Sequence, residues 1–148
     1  MVIPPSIYNK PVSKIPEHKY CLVVDDDNEL VKEYELLCKD VHPFVSIVHV
    51  PQKDAAKYAK SQKYDCIIVD NDSFRIGEYR GLETIKSFLR DVSPEKIIYT
   101  SALPDDKMRT TAAEYCIKFV EKGGWRKLEA TIRELFASKD EPIFSTSN

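Results

Sequence analysis

Five short apolar runs alternate with five segments whose apolar residues recur at helical spacing. The runs cover residues 20–24, 44–50, 66–69, 96–99 and 116–120. Residues 20–24 and 66–69 are almost continuously apolar, the pattern of strands buried on both faces. Between the runs, Leu30, Tyr34, Leu37 and Val41 share one face of a helix predicted over 28–41. A short Ala-containing helix is predicted over 53–61. Leu82, Ile85, Phe88 and Leu89 mark a third helix. Pro104 suits the first turn of a fourth, with Asp105 and Asp106 near the positive end of its dipole. Leu128, Ile132, Leu135 and Phe136 line a fifth that starts near Trp125. Strands and helices in strict alternation predict a parallel sheet wrapped by helices on both faces.

Right-handed crossovers leave few ways to order five such strands. The doubly wound, flavodoxin-like α/β order 2-1-3-4-5 is the expected one. Residues 1–18 hold four prolines and read as an extended arm, and residues 139–148 as a polar tail. The folded domain is expected over 19–138. The chain has 148 residues, enough for one domain with a proper core.

The formal net charge of −2 gives no bulk attraction to nucleic acid or anionic lipid. No apolar stretch approaches a membrane span or a signal peptide, so a cytoplasmic location is expected. Cys21, Cys38, Cys66 and Cys116 have no zinc or CxxC spacing and read as buried, reduced thiols, three in strands and one on a helix.

The candidate chemistry lies where the runs end. The first is followed by Asp25, Asp26 and Asp27, the third by Asp70, the fourth by Thr100 and Ser101, and the fifth by Glu121 and Lys122. Ligands of open parallel sheets bind outside the carboxyl ends of the strands. Three adjacent carboxylates repel one another unless a cation or a solvated turn relieves them. Helix capping by Asp27 or a neighbour would need only one acid. Oxygen-only ligands beside a phosphate site favour Mg²⁺. Asp70 is then a candidate nucleophile or metal ligand, because a carboxylate can attack phosphorus once its charge is offset. Ser101, or Thr100 in its place, could hydrogen-bond a phosphoryl oxygen, and Lys122 could neutralise it.

In this order the motifs LVVDDDNE (22–29), DCIIVD (65–70), GLE (81–83), IIYTSA (97–102) and IKFVEK (117–122) resemble the CheY-like receiver domains of two-component response regulators. The resemblance spans about 19–138. It implies Mg²⁺ binding by Asp25, Asp26, Asp70 and the backbone carbonyl of Asp72. It implies phosphorylation of Asp70 by a histidine kinase or phosphotransfer protein. Ser101 and Lys122 would contact the phosphoryl group, and Ser101 and Phe119 would switch the face formed by the fourth helix, the fifth strand and the fifth helix toward a downstream protein target. It also implies a stand-alone signalling domain rather than an enzyme, with no nucleic-acid or membrane partner.

Two departures stand out. The stretch after Asp70, NDSFRIGEYRG, lacks the usual Met-Pro, is long, and carries Arg75 and Arg80. Lys122 is followed by two glycines instead of the usual proline, so no cis peptide is expected there. Two other readings compete. One is a pseudo-receiver that only binds partners. The other is a haloacid-dehalogenase-like phosphatase, suggested by Asp25-x-Asp27 and Asp70-x-Asp72, which would need an acidic pair on a strand after the lysine. A flavin or nucleotide site would want a Gly/Ser/Thr-rich loop where the acids stand.

Overall fold

The computed structural model describes residues 17–73 and 75–137. Most of the proposed N-terminal arm, Phe74 and the C-terminal tail lie outside them. Five parallel strands form one sheet in the order β2-β1-β3-β4-β5. They are β1 Lys19–Val24, β2 Val45–Val50, β3 Cys66–Asp70, β4 Ile97–Ser101 and β5 Lys118–Glu121. The helices are α1 Val31–Val41, α2 Ala55–Ala59, α3 Arg80–Lys86, α4 Asp106–Glu114 and α5 Trp125–Ala137. The doubly wound order expected from the alternation is the observed one.

Side chains of a strand point alternately to its two faces, and here each face carries its own core. Leu22, Val24, Ile67, Val69, Ile97 and Tyr99 pack under α2, α3 and α4, against Ala55, Leu82, Ile85 and Met108. Cys21, Val23, Cys66, Ile68 and Ile98 pack under α1 and α5, against Tyr34, Cys38, Leu128 and Ile132. β1, β3 and β4 are sealed on both faces, which explains their continuous apolar runs. Each fully buried Ile or Leu contributes roughly 1.5–3 kcal/mol.

Several boundaries differ from the sequence pattern. α1 starts at Val31, not at 28, because the Asp27 carboxylate accepts from the Glu29 N–H and holds a turn there. Residues 52–54 form a single 3₁₀ turn ahead of a short α2. Phe88 and Leu89 fall beyond α3, in the turn that closes it. Pro104 precedes the α4 cap and is outside the helix: Asp105 is the cap, its Oδ1 accepting from the Met108 N–H at 2.8 Å.

Cys116 is exposed and outside β5, contrary to the buried strand position expected for it. It turns the chain at φ +62°, where the Ile117 N–H returns to the Ala112 carbonyl at 2.8 Å. The other three cysteines are buried and free as expected. No peptide bond among the described residues is cis, and Gly123 makes its turn with φ +95°. No helix among them is long and apolar enough to cross a membrane.

Candidate functional site

Parallel pairing sets the carboxyl ends of β1, β3, β4 and β5 side by side. Asp70 is in register with Thr100, and Ser101 with Glu121. The acids, hydroxyls and lysine picked out along the sequence therefore meet at one edge.

Asp70 is 2% exposed and sits at the centre. Its Oδ2 lies 2.7 Å from Lys122 Nζ. Its Oδ1 accepts from the Asp72 N–H at 2.7 Å. Burial raises the Asp70 carboxyl above its ordinary range, opposed by the bond to Lys122. Burial also pulls the Lys122 ammonium down, but Asp70 outweighs it and the lysine stays above its usual value. The pair is a buried aspartate side chain joined directly to a lysine ammonium.

Asp25 is fully buried. Its Oδ1 accepts from the Asp27 N–H at 2.8 Å, while its Oδ2 is buried with no hydrogen-bond partner. Burial first, then the charge of Asp70, pushes this carboxyl up to about 8. Asp72 joins the two through a backbone of φ +50°, a conformation Asp tolerates better than most residues. One oxygen each of Asp25, Asp70 and Asp72 lie within 4.8 Å of one another. Clustered carboxylates, one with an orphaned buried oxygen, fit a hard divalent cation such as Mg²⁺.

Asp26 is placed beside this cluster with both carboxylate oxygens engaged. Oδ1 accepts from the Gln52 N–H at 2.9 Å, and Oδ2 is 2.7 Å from Arg80 Nη2. Asp72 contributes its side chain to the cluster, where the resemblance implied only its backbone carbonyl.

The two candidate hydroxyls part company. Thr100 Oγ1 lies 3.4 Å from Asp70 Oδ2, on the same face of the sheet. Ser101 is buried and accepts from the Leu103 N–H at 3.0 Å. Alternation puts it on the Tyr99 side of β4. Phe119 packs edge-on to Tyr99 with ring centroids 5.6 Å apart, and the Arg109 guanidinium lies 5.6 Å from the Phe119 ring centre. Arg109 also pairs with Glu121 at 2.6 Å.

Sequence reasoning missed Gln52. It is buried at the β2–α2 turn, and its amide donates to the Asp70 carbonyl and, at 2.7 Å, to Asp72 Oδ2. Thr84 of α3 donates back to its Oε1. A glutamine after a proline carries no motif, so only the fold could bring it here. Asn71 was missed for the same reason. Its Oδ1 accepts from the Gly81 N–H at 2.8 Å and from the Tyr99 hydroxyl at 2.6 Å, and its amide donates to the Glu78 carbonyl. Gly81 is required by this close approach: a Cβ there would lie 2.6 Å from the Tyr99 ring and 2.9 Å from the Asn71 Cα. The long 71–80 loop is thus pinned at both ends.

No family model and no curated protein matches the sequence. Solved structures match the fold. The receiver domain of a sensor histidine kinase from Pseudomonas aeruginosa PAO1, which has a magnesium ion coordinated in its active-site cleft, superposes with a TM-score of 0.61 at 17% identity. That match covers 82% of this chain and 100% of the other. A two-component response regulator from Clostridium difficile gives 0.67 at 17% identity, covering 84% and 100%. A CheY-like receiver domain protein from Methanospirillum hungatei JF-1 gives 0.64 at 15% identity, covering 82% and 95%. The fold is that of the response regulator receiver domain.

Proposed function

We propose that this chain is a receiver in two-component phosphorelay signalling, which accepts a phosphoryl group on Asp70 from a phosphohistidine donor. The observation that carries the reading is Asp70 itself: buried, at the carboxyl edge of the central strand, paired with Lys122 at 2.7 Å and beside an orphaned acid. In the transfer an Asp70 carboxylate oxygen attacks phosphorus. The nitrogen–phosphorus bond of the donor breaks, and its electron pair returns to the imidazole. Lys122 shifts from the carboxylate to the phosphoryl oxygens. Asp25, Asp70 and Asp72 would hold Mg²⁺, which supplies positive charge against the phosphoryl oxygens. The chain acts on its own aspartate and on no other substrate.

Ser101 or Thr100 then donates a hydroxyl hydrogen bond to the phosphoryl group. Thr100 is nearer Asp70, while Ser101 shares a side with Tyr99 and hence with Phe119. A shift there changes the populations of the α4-β5-α5 face, where Phe119, Arg109 and Glu121 meet. A downstream protein would read that face.

The pseudo-receiver reading has one observation in its favour: Lys122 and Arg80 already neutralise Asp70 and Asp26 from within. It leaves Asp25 Oδ2 without a role. The phosphatase reading has less support, since α5 follows Lys122 where an acid-bearing strand would be needed. Peptide mapping after incubation with acetyl phosphate and Mg²⁺ tests the proposal. A phosphoryl group on the peptide containing Asp70 supports it, and label on any other residue overturns it.

A further inference from the structure

Both oxygens of Asp26 are engaged while its neighbour Asp25 has one orphaned. We infer that Arg80 is a built-in competitor of the divalent cation, closing on Asp26 so that this acid joins the cation site only when the guanidinium leaves. The inference rests on the reading of the acid cluster as a cation and phosphoryl site, and adds how entry to that site is controlled.

The geometry comes from the long loop after Asp70. Gly81 draws the start of α3 against the end of β3, with no room for a Cβ between Asn71 and Tyr99. Arg80, the preceding residue, is thereby carried over the end of β1. Its Nη2 lies 2.7 Å from Asp26 Oδ2. The Gln52 N–H fixes the other Asp26 oxygen at 2.9 Å, so the carboxylate is held with its free side toward the arginine. An open cleft of about 570 Å³ lies outside, lined by Asp25, Asp26, Asn28, His49, Lys53 and Arg80. Arg80 is half exposed, so it can swing into that cleft without unfolding anything. Asp25 and Asp70 lie deeper and make no ion pair with it.

An arginine and a divalent cation cannot both saturate one carboxylate side, and their charges repel. An exposed ion pair of this kind is worth up to about 1 kcal/mol, or about fivefold in an equilibrium. Arg80 would therefore trim cation affinity without abolishing it. The affinity would depend on where the 71–80 loop sits, so a partner that moved this loop would retune the site.

Calorimetric titration with magnesium chloride tests the inference on four full-length chains: wild type, Arg80→Ala, Asp26→Asn and the double variant. Arg80→Ala should bind Mg²⁺ about fivefold more tightly than wild type. In the Asp26→Asn background the same substitution should change nothing, because the contested oxygen is gone. Arg80→Gln should act in the same direction as Arg80→Ala. Unchanged or weaker binding by Arg80→Ala overturns the inference. An equal gain with and without Asp26 also overturns it, since Arg80 would then act through space on the whole cluster. A wild type that binds Mg²⁺ and takes up a phosphoryl group, with Arg80→Ala unchanged, removes this inference alone. No Mg²⁺ binding by wild type or Arg80→Ala removes the reading of the site as well.

Discussion

The Tyr99 hydroxyl donates to Asn71 Oδ1 at 2.6 Å, tying the residue after Asp70 to the middle of β4. Tyr99 is fully buried and its ring also meets Phe119, so one side chain touches both the loop after Asp70 and the edge strand. Tyr99→Phe keeps the packing and removes the bond, leaving Asn71 Oδ1 with the Gly81 N–H alone. Urea denaturation should show a loss of about 1 kcal/mol. Hydrogen exchange should quicken in residues 71–81 and stay unchanged in α5.

Gly81→Ala should cost at least as much. Its Cβ would meet the Tyr99 ring and the Asn71 backbone, and backbone cannot step aside cheaply. A loss of about 1–3 kcal/mol is expected from overpacking. An unchanged denaturation midpoint would mean that α3 can move away freely.

Mg²⁺ should stabilise the fold. At about 100 times the dissociation constant the gain is roughly 2.7 kcal/mol by mass action, read as a rise in Tm. Asp25→Asn should remove most of that rise. The metal-free variant should melt above the metal-free wild type, which on folding must protonate, or bury as a charge, a carboxyl that its site pushes up to about 8.

Asp105→Ala removes the α4 cap and should cost about 1 kcal/mol near pH 7. The Met108 N–H and then the Tyr79 hydroxyl hold the Asp105 carboxyl below its usual range. A lowered folded pKa stabilises above the unfolded value, about 3.9, and that gain is lost as pH falls through the folded one. The stability gap between wild type and variant should therefore be full at neutral pH and shrink in acid below about pH 4.

Asp72 should set the lifetime of the phosphorylated state. It stands two residues beyond Asp70, its N–H bonded to Asp70 Oδ1 and its carboxylate in the acid cluster. A carboxylate there can orient water for hydrolysis. Decay of the acyl phosphate should slow in Asp72→Ala; equal rates would show that the side chain takes no part.

Much of the fold was legible because β1, β3 and β4 are buried on both faces, and double burial leaves a continuous apolar signature. The polar residues that end those runs marked the site for the same reason: they are where the core stops. Cys116 misled because it opens a run, CIKFV, that is apolar but for Lys118. The chain turns there without a glycine, at φ +62°, and nothing local announced it. Gln52, and the pairing of Arg80 with Asp26, escaped for another reason. Their partners are 18 or more residues away on other elements, and pairing of that kind is set by the fold rather than by spacing.

The central claim is that Asp70 takes up a phosphoryl group in a cation-dependent reaction. Intact mass after incubation with acetyl phosphate measures this most directly, for wild type with Mg²⁺, wild type with EDTA, and Asp70→Asn with Mg²⁺. The first should gain the mass of one phosphoryl group and the other two none. An unmodified wild type with Mg²⁺ present, or an Asp70→Asn chain labelled as fully as wild type, would contradict it.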